Sequence, residues 1–296
     1  MRPDSRPKSQ AAVGILTFED GQDRERVDRV ATEEPMEMRA LARGISQTIA
    51  VTMRTPGADF ELTAGFLHTE GLIGQRQDIV AMKYCIDSTF DAVQRYNIVS
   101  AELRPGLQLS LPQLERHFFT SSACGVCGKA GLEALRGRSV GPPARGPQVA
   151  PELISTLTEK LRKAQGVFAA TGGLHAAGLF DAAGVTLAVR EDVGRHNAVD
   201  KAVGWALLND RLPLRETILV VSGRASFEIV QKALVAGIPI VCAVSAPSSL
   251  AVSLADEFSM TLIGFIRGSR FNVYAGRQRI TPAGKSANPW AAGTQA

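Results

Sequence analysis

From Pro151 onward, short runs of aliphatic and β-branched residues alternate with segments of helical period, and that rhythm limits the chain more than any other feature. Glu152 to Gln165 reads as a helix closed by Gly166. HAAGLF and VTLAVR read as strands around a turn at Asp181 to Gly184, and Arg195 to Leu208 as a helix. ILVVS (218–222) is a buried strand, Ser226 to Ala236 a helix, and IPIVCAV (238–244) and MTLIGFI (260–266) two more strands. Such alternation predicts a three-layer α/β domain over 151–283 with a largely parallel or mixed sheet. The stretch Ala233 to Ala255 carries no charge and is long enough to cross a membrane. Gly237, Pro239 and Pro247 break it, so it reads as a helix end, a strand and a new helix start, with no membrane span.

The N-terminal half is different. SQTIAVTMR (46–54) alternates as a strand does, DFELTAGFLHTEGLI (59–73) suits an amphipathic helix behind an Asp N-cap, and strand-like runs follow near 79–86, 93–99 and 107–111. These predict a small α+β domain over 13–120. A Gly- and Pro-rich stretch at 121–150 separates it from the second domain, with disordered or flexible ends at 1–12 and 284–296. No apolar segment follows MRPDSRPKSQ, so a cytoplasmic protein is expected.

Charge is uneven along the 296 residues. Five of the 33 basic residues (Arg267, Arg270, Arg277, Arg279 and Lys285) follow Glu257, the last acid, leaving 28 positive against 29 negative charges before it. The whole basic excess therefore sits at the C-terminal end, interleaved with Phe265, Ile266, Phe271, Val273 and Tyr274. A strand-like basic strip of that kind suits an anion better than a loose tail does.

Three clusters carry reactive or ligand-binding types. Cys124 and Cys127 form a CxxC within SSACGVCGK, where glycines make a pliable loop and Lys129 with a following helix start favours thiolate. That spacing suits a redox pair, half of a zinc site or a persulfide relay. Zinc lacks a second CxxC, and a dithiol oxidoreductase would place its motif just after a strand. Cys85 and Cys242 lie in apolar strands and read as inert core. In TGGLHAAGLF the glycines allow a close backbone approach to a ligand, with His175 at a strand start. In REDVGRHNAVDKAVG a strand ends and a helix begins, with Arg195, His196, Asn197, Asp200 and Lys201 crowding the first turns. Ser222-Gly223-Arg224 has the same address after the next strand and suits a phosphate.

Together SSACGVCGK, TGGLHAAGLF, EDVGRHNAVDK, SGRASFEIVQKA and GFIRGSRFNVYAG resemble the FdhD family of formate dehydrogenase accessory sulfurtransferases, in one order from about Gly44 to Gly276. The resemblance implies a cytidine-deaminase-like second domain and a homodimer; no structural metal is expected, because the paired ligands of a closed zinc site are missing. It also implies a persulfide carried on Cys124, with Cys127 as partner. A cysteine desulfurase would supply the sulfur, and the molybdenum bis-guanine-dinucleotide cofactor of formate dehydrogenase would receive it. FIRGSR (Phe265, Ile266, Arg267, Gly268, Ser269, Arg270) matches the family's cofactor-binding segment. Neither nucleic acid nor a membrane is an expected partner. A nucleotide deaminase would need its CxxC downstream and HAE in place of HAA. A non-catalytic cofactor chaperone with a structural CxxC is the alternative.

Overall fold

The computed structural model describes residues 7–42, 44–85, 92–107, 141–143 and 146–281. The chain opens with an antiparallel ribbon, β1 (Gln10–Glu19) and β2 (Gln22–Ala31), joined at Asp20-Gly21. Both turn residues have positive φ, 52° and 79°, as a two-residue hairpin turn of matching twist requires, and Asp-Gly is the pair best suited to it.

A four-stranded sheet follows, built from β3 (Glu34–Ala42), β4 (Ile45–Arg54), β5 (Ile79–Tyr84) and β6 (Ile98–Leu103) in the order β4-β3-β6-β5. Helix α1 (Asp59–Thr69) covers it, burying Leu62, Phe66 and Leu67 against Met36, Met38, Ile49 and Val99. The expected Asp N-cap is displaced by one residue. Ala58 holds the cap position at φ 55°, and Asp59 points its carboxylate at the buried Arg54, 3.2 Å away. A buried guanidinium needs a carboxylate more than the helix end needs a cap. The helix stops at Thr69 rather than running to Ile73. The strand expected from residue 93 is first a helical turn, α2 (Ala92–Arg95), and extends only from Ile98. Leu107 belongs to no strand, and 108–111 lie outside the described residues.

The second unit contains α3 (Pro151–Ala164), α4 (Gly166–Thr171), β7 (His175–Asp181), β8 (Thr186–Asp192), α5 (Arg195–Leu208), β9 (Thr217–Val221), α6 (Phe227–Val235), β10 (Ile240–Ala243), α7 (Ser249–Glu257), β11 (Thr261–Arg267) and β12 (Arg270–Ala275). Its sheet has the order β12-β11-β10-β9-β7-β8, with β9, β10 and β11 parallel and the hairpins β7-β8 and β11-β12 antiparallel. Alternation along the strands builds the three expected layers. Ile218, Val220, Ile240, Cys242 and Ile263 pack under α3, while Leu219, Val221, Val241, Ala243 and Leu262 pack under α5, α6 and α7. Burial raises the Cys242 thiol pKa, in keeping with an inert core residue. Gly166, expected to close α3, instead starts α4, because the Glu191 carboxylate accepts from Val167 N (3.1 Å) and Phe168 N (2.7 Å) at that helix's first turn. Among the described residues no helix is long and apolar enough to cross a membrane.

The two units meet where α1 crosses α5. A Cβ on Gly65 would lie 1.8 Å from Asp200 O, and one on Gly204 would lie 1.8 Å from Glu61 O, so only glycine permits this approach.

Candidate functional site

The direction of each strand decides which residues share an end of the large sheet. The carboxyl ends of β8, β9, β10 and β11 coincide with the start of β7, so His175, Asp192, Ser222 and the residues after Ala243 come together there. His175 lies opposite Asp192 in the β7-β8 register. Ser222 Oγ accepts from Ala176 N at 2.9 Å, and Ala176 O accepts from Ser222 N at 3.0 Å. A Cβ on Gly223 would press to 3.3 Å from His175 Nδ1, which explains a glycine between Ser222 and Arg224.

The polar crowd at the start of α5 separates into two groups. Asp192 is buried and takes four donors: Thr55 N (3.1 Å), Gly194 N (2.8 Å), Asn197 Nδ2 (3.0 Å) and Lys201 Nζ (2.7 Å). Asn197 Nδ2 also donates to Met53 O (2.8 Å), and Lys201 Nζ to Thr55 O (2.8 Å). These three side chains therefore bind the end of β4 to the α/β unit. Asp200 forms a second buried group, taking Thr69 Oγ1 (2.8 Å) and Lys232 Nζ (2.9 Å), with Glu70 3.1 Å from the same ammonium. Burial disfavours the Lys232 ammonium, yet Asp200 and Glu70 hold its pKa above the usual lysine value.

Between the units lies a cavity of about 820 Å³, within the size range of small-molecule and cofactor pockets. Met38, Met53 and Phe66 form its apolar side, and Arg195, His196 and Arg224 its basic side. Neither Arg195 nor Arg224 has a hydrogen-bond or ion-pair partner among the described residues, and Arg195 Nε is buried without one. Helices α5 and α6 both begin at this cavity; neither N-cap side chain bonds the first amides, but the Glu228 carboxylate turns back on its own amide at the start of α6. The two guanidiniums and the positive start of α5 make the opening a place for an anion. His196 Nε2 lies 3.2 Å from Ser226 Oγ and 3.8 Å from Glu228, and burial together with Lys232 and Arg195 pushes its pKa down to about 4. Burial, then Arg195 and Arg224, lowers His175 as well. Both imidazoles are therefore neutral near pH 7, and the positive charge of the site is carried by arginine.

The basic strip occupies the same end of the sheet but does not line the cavity. Phe265 is exposed at φ 54°, Ile266 is buried, and Gly268 turns the chain at φ 53° so that Arg267 faces Arg270 across the hairpin. Ser269 lies in that turn. Arg267 Nη1 donates to Val244 O at 3.0 Å, which fixes the hairpin beside Ser245, whose carbonyl accepts from Phe265 N. The cavity thus collects Arg195, His196, Asn197 and Arg224; His175, Ser222 and Gly223 sit at the same sheet end, and Phe265 to Arg270 at its opposite side. Cys124 and Cys127 lie outside the described residues. Sequence reasoning missed Met53, Phe66, Glu228 and Lys232, which the folded chain brings to the cavity from three separate elements, β4, α1 and α6. Among the described residues no group of three or more His, Cys, Asp or Glu could hold a metal ion.

The profile of the FdhD/NarQ family matches residues 31–281. The chain is 50% identical over 268 residues to the sulfur carrier protein FdhD of Streptomyces coelicolor, covering 90% of this chain and 94% of that one. It is 50% identical over 260 residues to the protein of the same name from Mycobacterium tuberculosis, covering 86% and 93%. A Desulfotalea psychrophila crystal structure assigned as a formate dehydrogenase accessory protein shares the fold, with a TM-score of 0.71 at 24% identity over 92% of this chain and 99% of that one. The chain belongs to the FdhD/NarQ family.

Proposed function

We propose that this member of the FdhD/NarQ family is a sulfur carrier that takes sulfane sulfur from a cysteine desulfurase onto Cys124 and passes it to the molybdenum bis-guanine-dinucleotide cofactor destined for formate dehydrogenase. The Cys124 thiolate attacks the outer sulfur of the desulfurase persulfide, forming a new S–S bond and releasing the desulfurase thiolate. Cys127 stands by as the second thiol of the CxxC motif. The cofactor is the substrate, and what it presents to the protein is chiefly two pyrophosphates and two guanines.

The observation that carries this reading is the pair of arginines, Arg195 and Arg224, without hydrogen-bond or ion-pair partners among the described residues, at a cavity on which the start of α5 opens. Phosphate oxygens complete such a set. The apolar side made by Met38, Met53 and Phe66 suits a flat base or pterin ring. Ser222, Gly223 and His175 border the arginines. Phe265 to Arg270 offers a second basic contact at the same sheet end, which a molecule with two nucleotide arms can reach. In this reading the protein works in the cytoplasm as a homodimer, without nucleic acid or membrane as partner.

Incubating the protein with a cysteine desulfurase and cysteine tests the carrier step. One chain should gain about 32 Da, the mass of one sulfur atom, in a form that reductant removes. Cys124→Ser should not gain it. Loading of Cys124→Ser equal to the wild type would refute the assignment, and a stoichiometric zinc removed by chelator would move the CxxC to a structural role.

A further inference from the structure

Four acids line the same cavity as Arg195 and Arg224: Glu33, Glu70, Asp200 and Glu228. Asp200 and Glu70 turn to the Lys232 ammonium, at 2.9 and 3.1 Å, and Glu33 is exposed. Glu228 has no such cation. Its one ion-pair contact among the described residues is His196, 3.8 Å away, and that imidazole is neutral near pH 7. Burial opposes ionisation of Glu228, yet the Ser226 hydroxyl and its own amide hold its pKa below the usual carboxylate value. A carboxylate beside a phosphate site repels the phosphate, so its place there calls for a ligand that also brings hydrogen-bond donors.

The carboxylate has room for them. An ionised carboxylate offers about four acceptor sites, and the Ser226 hydroxyl and the Glu228 N–H take two. The side chain keeps 40% exposure, so the other sites are open to the cavity. Gln231 stands three residues further along α6, a spacing that puts both side chains on one helix face, and it lines the same cavity. Its amide has no hydrogen-bond partner among the described residues. Side by side, Glu228 and Gln231 present free acceptors and then a free N–H2 donor, opposite the apolar side on which a flat ring would lie.

A 2-amino-4-oxopyrimidine ring carries the complement along one edge: an amino group and a ring N–H that donate, then a carbonyl that accepts. Guanine has this edge, and so does a pterin. We infer that Glu228 and Gln231 read it, Glu228 accepting from the amino group and the ring N–H, and Gln231 donating to the carbonyl. The inference rests on the reading that Arg195 and Arg224 take phosphate of the same molecule, and it makes Glu228 the residue that selects among nucleotides of equal charge. Adenine is refused, because it sets an acceptor nitrogen against the carboxylate and an amino group against the Gln231 donor.

Calorimetric titration of the full chain with guanosine, inosine and adenosine diphosphates tests it, since all three carry the same phosphates and inosine lacks only the amino group. The wild type should bind guanosine diphosphate about tenfold or more tighter than inosine diphosphate, the effect of one hydrogen bond to a charged acceptor. Glu228→Gln should cut that preference by about threefold or more while leaving adenosine diphosphate no weaker, because the charge that repels it is gone. Gln231→Leu should weaken guanosine and inosine diphosphates alike, since both keep the carbonyl. Glu33→Gln removes a charge from the same cavity and should leave the preference in place. Titration with 6-hydroxymethylpterin separates the two sources: whichever of it and guanosine diphosphate loses affinity in Glu228→Gln is the end that Glu228 reads. Circular dichroism verifies that each variant stays folded. A Glu228→Gln protein that binds both as the wild type does, or that weakens all three nucleotides by one common factor, overturns the inference and leaves the arginine reading standing. Loss of the preference in Glu33→Gln overturns it too, by tracing the effect to general charge. A wild type that binds neither guanosine diphosphate nor the pterin overturns both readings.

Discussion

Replacing Gly204 with alanine tests the crossing that holds the two units around the cavity. In an isolated helix this change stabilises by about 1 kcal/mol, because glycine has more freedom to lose on folding. Here the new Cβ would lie 1.8 Å from Glu61 O, 2.6 Å from Glu61 C and 2.8 Å from Gly65 N. Ordinary contact begins near 3.4 Å, so the first distance falls short by 1.6 Å, and all three atoms belong to backbone. No side chain can swing aside, so the helices must part. Parting them strains the buried contacts made by Asp200, Thr69 and Lys232 beside the crossing. Overpacking of this kind costs about 3 kcal/mol, the upper end of the usual range, because rigid backbone has to move. Subtracting the helix gain leaves about 2 kcal/mol of destabilisation, or roughly 4 °C in Tm for a chain of this size. Thermal melts followed by circular dichroism measure it. Gly166→Ala is the control, since a Cβ there meets nothing within 4 Å, and it should leave Tm unchanged or slightly raised. A Gly204→Ala protein with Tm above the wild type would show that propensity outweighs the close approach, and would refute the reasoning.

Lys232→Met should lower stability by about 3 to 5 kcal/mol, read as a fall in urea midpoint, because it leaves Asp200 and Glu70 without their shared cation. His196 titrates near 4 in the fold against 6.5 in the unfolded chain, so between those values the unfolded chain binds the extra proton. Its contribution is present in full above pH 6.5 and is lost as pH falls toward 4; His175 and His68 act in the same direction. His196→Gln should therefore flatten the loss of urea midpoint between pH 6.5 and 4, and an unchanged slope would exclude His196 as a contributor. Arg195→Gln and Arg224→Gln should each weaken guanosine diphosphate binding about tenfold or more, with a smaller salt dependence, and Arg270→Ala should do the same if the hairpin holds phosphate. Calorimetric titration decides which of the three matter, and unchanged affinity in the first two would place the anion outside the cavity.

What the amino-acid order decided by itself is local or periodic. The α/β alternation after Pro151 follows from side-chain period, and α5, β9 and β10 begin within a residue or two of where periodicity puts them. The crowding of Arg195, His196 and Asn197 at a strand-to-helix turn was legible because sheet topology puts ligand sites at that end. The Asp20-Gly21 hairpin is equally local, and its dipeptide could have revealed it, but the sequence analysis did not single it out. The division of labour within EDVGRHNAVDK was not legible. Whether Asp192, Asn197 and Lys201 face a ligand or bind β4 depends on Met53, 144 residues before Asn197, and on Thr55, 146 before Lys201. Asp59 looked like a helix cap until the fold placed Arg54 beside it. Lys232 and Glu70 were invisible as a pair, because 162 residues separate them and no period links them. Gly65 and Gly204 are unremarkable as letters, and each is required only because the other's helix passes within van der Waals contact. Spacing along one chain encodes period, turn and cap; which buried charge meets which counter-charge is decided only when α1 is laid across α5.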